Sequence, residues 1–140
     1  MVTIDDVEAV IAELPDVSES TSYGNRCWVV GTKNFAWIRP FSKADLRRFG
    51  GDPVPDGPIL AVRVEDLMEK EAILAEGRTG FFTIPHFDGY AAVLIQLEVA
   101  RQRDVSEAIV DAWLAMAPPA AARELLADRG GSDELRGADE

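Results

Sequence analysis

The chain has 140 residues, 47% of them hydrophobic, with three tryptophans and six phenylalanines, a composition that excludes a disordered chain and suits one domain able to bury roughly two-thirds of its unfolded surface. Its formal net charge of −11 at pH 7 on average repels phosphate backbones and anionic membranes. Cys27 is the single cysteine, so an intramolecular disulfide and a thiolate metal cluster are both excluded, and no apolar run approaches the ~18 residues of a membrane span.

Thr3 with Asp6 resembles a capping box, and Ile4, Val7, Val10, Ile11 and Leu14 follow at helical spacing, which predicts a helix to about Leu14, closed by Pro15. DVSESTSYG then reads as a polar connection. RCWVV and FAWIRP around GTKN predict a hairpin of Arg26–Val30 and Phe35–Arg39 with a four-residue turn, Trp28 and Val30 on one face and Cys27 and Val29 on the other. Ser42 and Asp45 cap a short helix through Phe49, followed by a loop at GGDPVPDGP.

Ile59–Val64 is β-branched and bounded by turn residues, a third strand; a helix from about Asp66 to Ala75 stops at Gly77. GFFTI is a fourth strand, PHFDGY a corner in which Pro85 interrupts pairing and Asp88-Gly89 supplies positive φ, and AAVLIQL a fifth strand. Asp104 with Glu107 suggests a capping box for a helix whose stripe is Ile109, Val110, Trp113, Leu114 and Met116. Pro118-Pro119 ends it, and a short helix of about Ala120–Ala127 precedes an acidic tail over 128–140, expected to be disordered. Tight connections between strands predict a two-layer α+β domain over 1–127, with an antiparallel five-stranded sheet and helices packed on one face.

Charge is unevenly spread. Residues 1–24 carry six acids and no base, whereas residues 25–51 carry Arg26, Lys33, Arg39, Lys43, Arg47 and Arg48 against Asp45 alone. That stretch, interleaved with Trp28, Phe35 and Trp37, is the one candidate for a nucleic-acid contact, although hairpin aromatics more often fill a core. His86 is the only histidine; a hydrolase would pair it with Asp88 and with Cys27 or a serine as nucleophile, but residues of this type in a turn more often serve the turn. With one histidine and no patterned acidic loop, no metal site is expected, and the glycine patterns that cradle nucleotide phosphates are absent. Ser20, Thr21, Ser22 and Tyr23 could instead form a cleft with His86, Asp88 and Tyr90.

LPDVSESTSYG, FAWIRPFSKADL, FFTIPHFDGYAAVLIQL and DAWLAMAPPAAARELLA together resemble, in order and spacing, the MmcQ/YjbR family of small bacterial proteins over about residues 3–127. The family pattern falls on Glu19, Ser20, Thr21, Tyr23, Gly24 and Trp28, on Phe81, Phe82, Pro85, His86, Asp88, Gly89 and Tyr90, and on Trp113 and Pro118. The resemblance implies a double-wing DNA-binding-like or secretion-chaperone-like α+β fold, a DNA-binding label borrowed from that fold, and neither cofactor nor catalytic activity. Where members often carry a base after the late Ala-Pro, this chain has Pro119, Ala120 and Ala121. The resulting expectation is a cytoplasmic, non-enzymatic protein, monomer or weak homodimer, that meets DNA through its cationic stretch. The alternatives are a protein-interaction or chaperone-like module, and a small-ligand binder using the STSYG and PHFDGY segments.

Overall fold

The computed structural model describes residues 1–127; the acidic tail lies outside them. The fold is α+β, built on one antiparallel sheet of six strands rather than five: β1 (Val17–Ser22), β2 (Asn25–Val30), β3 (Lys33–Ile38), β4 (Ile59–Arg63), β5 (Phe81–Phe82) and β6 (Ala92–Gln96), in the order β1-β2-β3-β4-β6-β5. The helices are α1 (Ile4–Ile11), α2 (Lys43–Phe49), α3 (Leu67–Ala75), α4 (Gln102–Met116) and α5 (119–127).

The added strand is β1, which the sequence presents as a connection. Beyond Val17 its residues SESTS are polar and largely exposed on both faces, so no alternation betrays it; pairing along the whole of β2 supplies the order that side-chain burial does not. A two-residue turn joins β1 to β2, with Tyr23 at φ 50° and Gly24 at φ 79°, the type I′ pattern that matches strand twist. The β2–β3 turn is also two residues, Gly31-Thr32, instead of four, and Gly31 supplies positive φ at the first position.

Between Trp28 and Val29 the β2–β3 register shifts, so that Trp28 faces Ala36 while Val29 faces Asn34. Phe35 is the extra residue of this bulge. It therefore joins Ala36 and Trp28 in the main core instead of alternating away from them. That core lies under α1 and α4, with Val30, Leu60, Val62, Val93, Ile95 and the fully buried Trp113. The Trp113 indole N–H donates to the Pro15 carbonyl at 3.0 Å, fastening α4 to the end of α1.

The capping boxes of Thr3 with Asp6 and Ser42 with Asp45 both form. The one expected at Asp104 does not: α4 starts at Gln102, which leaves Asp104 in the first turn, where its charge favours the helix dipole without capping. In the expected α4 stripe Ile109 and Trp113 are buried, but Leu114 is exposed and Val105 and Ala112 take its place. β5 is only two residues long, because Pro85 opens a 3₁₀ turn (Pro85–Phe87) soon after it.

The sheet's other face carries a second, smaller cluster: Ile59, Ala61, Ile84, Phe87, Ala92 and Leu94, flanked by Trp37, Phe41, Phe49 and Phe82. It is covered by α2 and the 3₁₀ turn, and only toward β4 and β6. Truncating Phe35 to Ala is expected to cost about 3–5 kcal/mol, since the bulge fixes the strands and blocks collapse around the cavity; urea denaturation measures it.

Candidate ligand-binding groove

On the β1–β3 half of the second face the sheet is uncovered, and an open groove of about 840 Å³ runs there between the β1–β2 turn and the corner that leads into β6. Ser22, Tyr23 and Asn25 line one side and His86, Phe87 and Tyr90 the other. Asn34 and Trp37 on β3 face it from the sheet, and Arg39, Pro40 and Ser42 close one end. Trp37 lies 6.3 Å from Phe87 and from Tyr90 between ring centroids, and Phe87 and Tyr90 meet edge to face at 5.5 Å, within the range of favourable aromatic pairs.

Two basic side chains hold the corner from behind. Lys70 on α3 is buried, and its Nζ donates to the carbonyls of Phe87 at 2.6 Å and Tyr90 at 2.9 Å. Burial pushes the Lys70 ammonium below its ordinary pKa, and the nearby Asp88 charge opposes this. Arg63 on β4 donates from Nε to the Ala91 carbonyl at 3.3 Å, its guanidinium 4.9 Å from the Tyr90 ring centroid. Each of these carbonyls also accepts a main-chain hydrogen bond, Phe87 from Tyr90 N at 3.0 Å, Tyr90 from Ala92 N at 2.8 Å and Ala91 from Val64 N at 3.0 Å, so the cations take their second lone pairs and tie the corner to α3 and β4.

The end of the groove is fixed by Arg39. Its Nη2 pairs with the buried Asp45 carboxylate at 3.0 Å, its Nη1 donates to the Pro40 carbonyl, and its guanidinium sits 5.6 Å from the Phe87 centroid. Burial works against ionisation of Asp45, but the main-chain and hydroxyl hydrogen bonds with Ser42 and the charge of Arg39 outweigh it, so its pKa lies below the ordinary 3.8.

Of the cleft residues expected from sequence, Ser22, Tyr23, His86 and Tyr90 come together in this groove. Ser20 pairs with Cys27, on the same face but outside the lining; Thr21 pairs with Arg26, on the helix-covered face; Asp88 is outside the lining, near enough to Lys70 for its charge to oppose the shift of that ammonium. Cys27 is buried, its Sγ 3.9 Å from Asn34 Oδ1.

The six cations do not converge. Arg26 lies on the helix-covered face, bound by Glu19 at 2.6 Å and by Glu8, with its pKa held above the ordinary value chiefly by the hydrogen bond to Glu19. Lys33 pairs with Val30, which places it on that same face. Only Arg39 lines the groove, and Lys43, Arg47 and Arg48 stand exposed on α2 beyond Ser42.

Asn25 and Asn34 in the groove, and Lys70 and Arg63 behind its corner, are residues that sequence patterns do not single out, while Trp37 stands out there only within the cationic stretch. Lys70 carries one available signal, since it lies three and four residues before Ile73 and Leu74, on the stripe α3 turns to the core. A second cavity, of about 430 Å³, between α3 and α4 contrasts in charge: Glu65, Glu69, Glu76 and Asp111 line it beside Arg63 and Arg78. Burial, then the charge of Glu107, push the Asp111 carboxyl upward against the pull of Arg78.

Among known proteins, the chain is similar to Uncharacterized protein Rv2570 and Uncharacterized protein MT2646 of Mycobacterium tuberculosis and to Uncharacterized protein Mb2600 of Mycobacterium bovis. Each is 42% identical over 133 residues, covering 93% of this chain and 100% of the relative. The chain belongs to the family of these mycobacterial proteins. No protein-family profile matches it. No solved structure matches it. Among the described residues no helix is long and apolar enough to cross a membrane.

Replacing Lys70 with Met should remove the two charged hydrogen bonds that tie the corner to α3, costing about 1–3 kcal/mol and speeding amide exchange across residues 85–92 well before global unfolding, as hydrogen-exchange mass spectrometry would register. For Asp45 the depressed folded pKa means that its contribution is complete above 3.8 and is lost as pH falls through the folded value. Asp45→Asn should therefore cost about 2–3 kcal/mol at pH 7 and progressively less below pH 4, read from denaturation at a series of pH values.

Proposed function

We propose that this protein is a non-enzymatic binding module, of the MmcQ/YjbR type that its sequence motifs resemble, and that its groove takes a small organic molecule. The observation that carries this reading is the meeting of the STSYG and PHFDGY segments on one sheet face around an aromatic groove of about 840 Å³. A volume of that order suits a drug-sized or cofactor-sized ligand, with apolar rings for contact area and a few amides and hydroxyls to orient it.

A catalytic reading draws less support. Asp88 lies outside the groove lining that holds His86, and Cys27 is packed within a strand, so base, orienter and nucleophile do not form a relay. Duplex DNA is also less well served. Arg26 and Lys33 point to the helix-covered face and Arg39 is committed to Asp45, which leaves Lys43, Arg47 and Arg48 on one short helix of a chain with net charge −11. A single buried thiol suits the reducing cytoplasm, the compartment we propose.

Trp28 and Trp113 are buried under the helices, so ligand-dependent quenching of intrinsic fluorescence reports Trp37. Titration with a panel of nucleosides, nucleotides and aromatic carboxylates should give saturable quenching by at least one class. Trp37→Ala should lose that signal and bind about tenfold more weakly by calorimetry, while keeping its circular dichroism. A flat response across the panel, or unchanged affinity in Trp37→Ala, contradicts the proposal.

A further inference from the structure

Resting on the ligand-binding reading of the groove, we infer that Tyr23 is a stacking cap and that the ligand it grips is a planar ring bearing a negative charge. Tyr23 is fully exposed, at 101% of its reference area, yet it lines the groove from the tip of the β1–β2 hairpin. Its backbone sits at φ 50°, the first central position of a two-residue turn, where Asn, Asp or Gly is comfortable and a bulky aromatic is strained. The Asn25 side chain donates to the Tyr23 carbonyl at 3.2 Å and holds the turn in that conformation. The fold gains no burial from this ring and bears a conformational cost for it. A second planar surface entering the groove recovers both, because the phenol then covers one face of the guest while Trp37 and Tyr90 offer theirs.

Charge selects the guest. None of the described residues lining the groove is acidic, in a chain with 25 Asp and Glu. The aromatic wall already carries cations: Arg39 lies 5.6 Å from the Phe87 centroid and Arg63 lies 4.9 Å from that of Tyr90. These occupy the ring faces that a quaternary ammonium would need, while Asp45 balances the charge of Arg39. Lys43, Arg47 and Arg48 on α2 supply a positive field beyond Ser42, with no ion-pair partner among the described residues. A planar ring with an anionic arm reaching toward Ser42 satisfies both the stack and the field.

The test titrates the full chain with adenosine 5′-monophosphate, adenosine and benzyltrimethylammonium as probes, in wild type, Tyr23→Asn and Tyr23→Phe. The expected order of affinity is the monophosphate, then the nucleoside, then the cation. Tyr23→Asn should weaken monophosphate binding about tenfold while raising Tm by about 2–4 °C, since the turn loses its strain, and Tyr23→Phe should bind within about twofold of wild type. Wild-type binding with undiminished affinity in Tyr23→Asn overturns the cap and leaves the groove standing. Tighter binding of the cation than of the monophosphate overturns the charge assignment. Failure of all three probes to bind wild type overturns the cap and the ligand-binding reading together. Sedimentation showing that Tyr23→Asn dissolves a dimer assigns the exposed ring to a second copy of the chain and overturns the cap.

Discussion

The buried ammonium of Lys70 ties the corner that walls the groove to α3. Pro85 and the 3₁₀ turn lift residues 85–90 out of the β ladder, and the corner they form holds itself by short main-chain bonds such as Tyr90 N to the Phe87 carbonyl. Lys70 donates to the Phe87 and Tyr90 carbonyls and Arg63 to that of Ala91, so α3, β4 and the corner become one unit. Burying a charge is costly unless it is hydrogen-bonded, and the depressed pKa of Lys70 reflects that cost. The return is a rigid platform from which His86, Phe87 and Tyr90 face β3. Without it the corner would have only short turn hydrogen bonds of its own, and the groove would lose a wall.

Charge is partitioned as sharply as packing. Acids line the cavity between α3 and α4 and pair with Arg26 on the helix-covered face, while the aromatic groove has none among its described residues. Asp45, the one acid among six bases in residues 25–51, is turned into α2's capping box and toward Arg39, where it fixes the guanidinium. In an acidic protein this produces a local region hospitable to a negative or neutral guest, and it explains why the basic stretch seen in sequence does not become a cationic ridge. Arg26 and Lys33 fall on the helix-covered face, Arg39 turns to the groove across the bulge at Phe35 and the rest stand on α2, a division that linear counting cannot resolve.

Local rules carried the fold a long way. The caps at Thr3 and Ser42, the stop at Gly77, the β2–β3 hairpin and the antiparallel α+β plan are all legible because each depends on residues a few positions apart. What escaped depends on distant partners. β1 is polar after Val17 and is a strand only because β2 pairs with it; Phe35 enters the main core only because a bulge breaks the period of two; α4 begins two residues before its presumed cap. The candidate site divides in the same way. Tyr23, His86 and Tyr90 were visible as turn and corner residues, but Thr21 was carried to the far face by register, and the corner is held by Lys70 of α3, whose contacts with the Phe87 and Tyr90 carbonyls span seventeen residues and more of sequence. Lys70 itself looks like ordinary helix surface until its position relative to Ile73 and Leu74 is considered.

The most direct measurement is a proton–nitrogen NMR map of the labelled full chain during titration with adenosine 5′-monophosphate. Ligand entry into an aromatic groove held by the Lys70 corner should displace resonances of residues 22–25, 34–39 and 86–90 together with the Trp37 indole, and leave those of α1, α4 and the Trp113 indole unmoved. Displacements centred on the acidic cavity between α3 and α4, or spread over Arg26, Lys33 and the helix-covered face, would contradict the account.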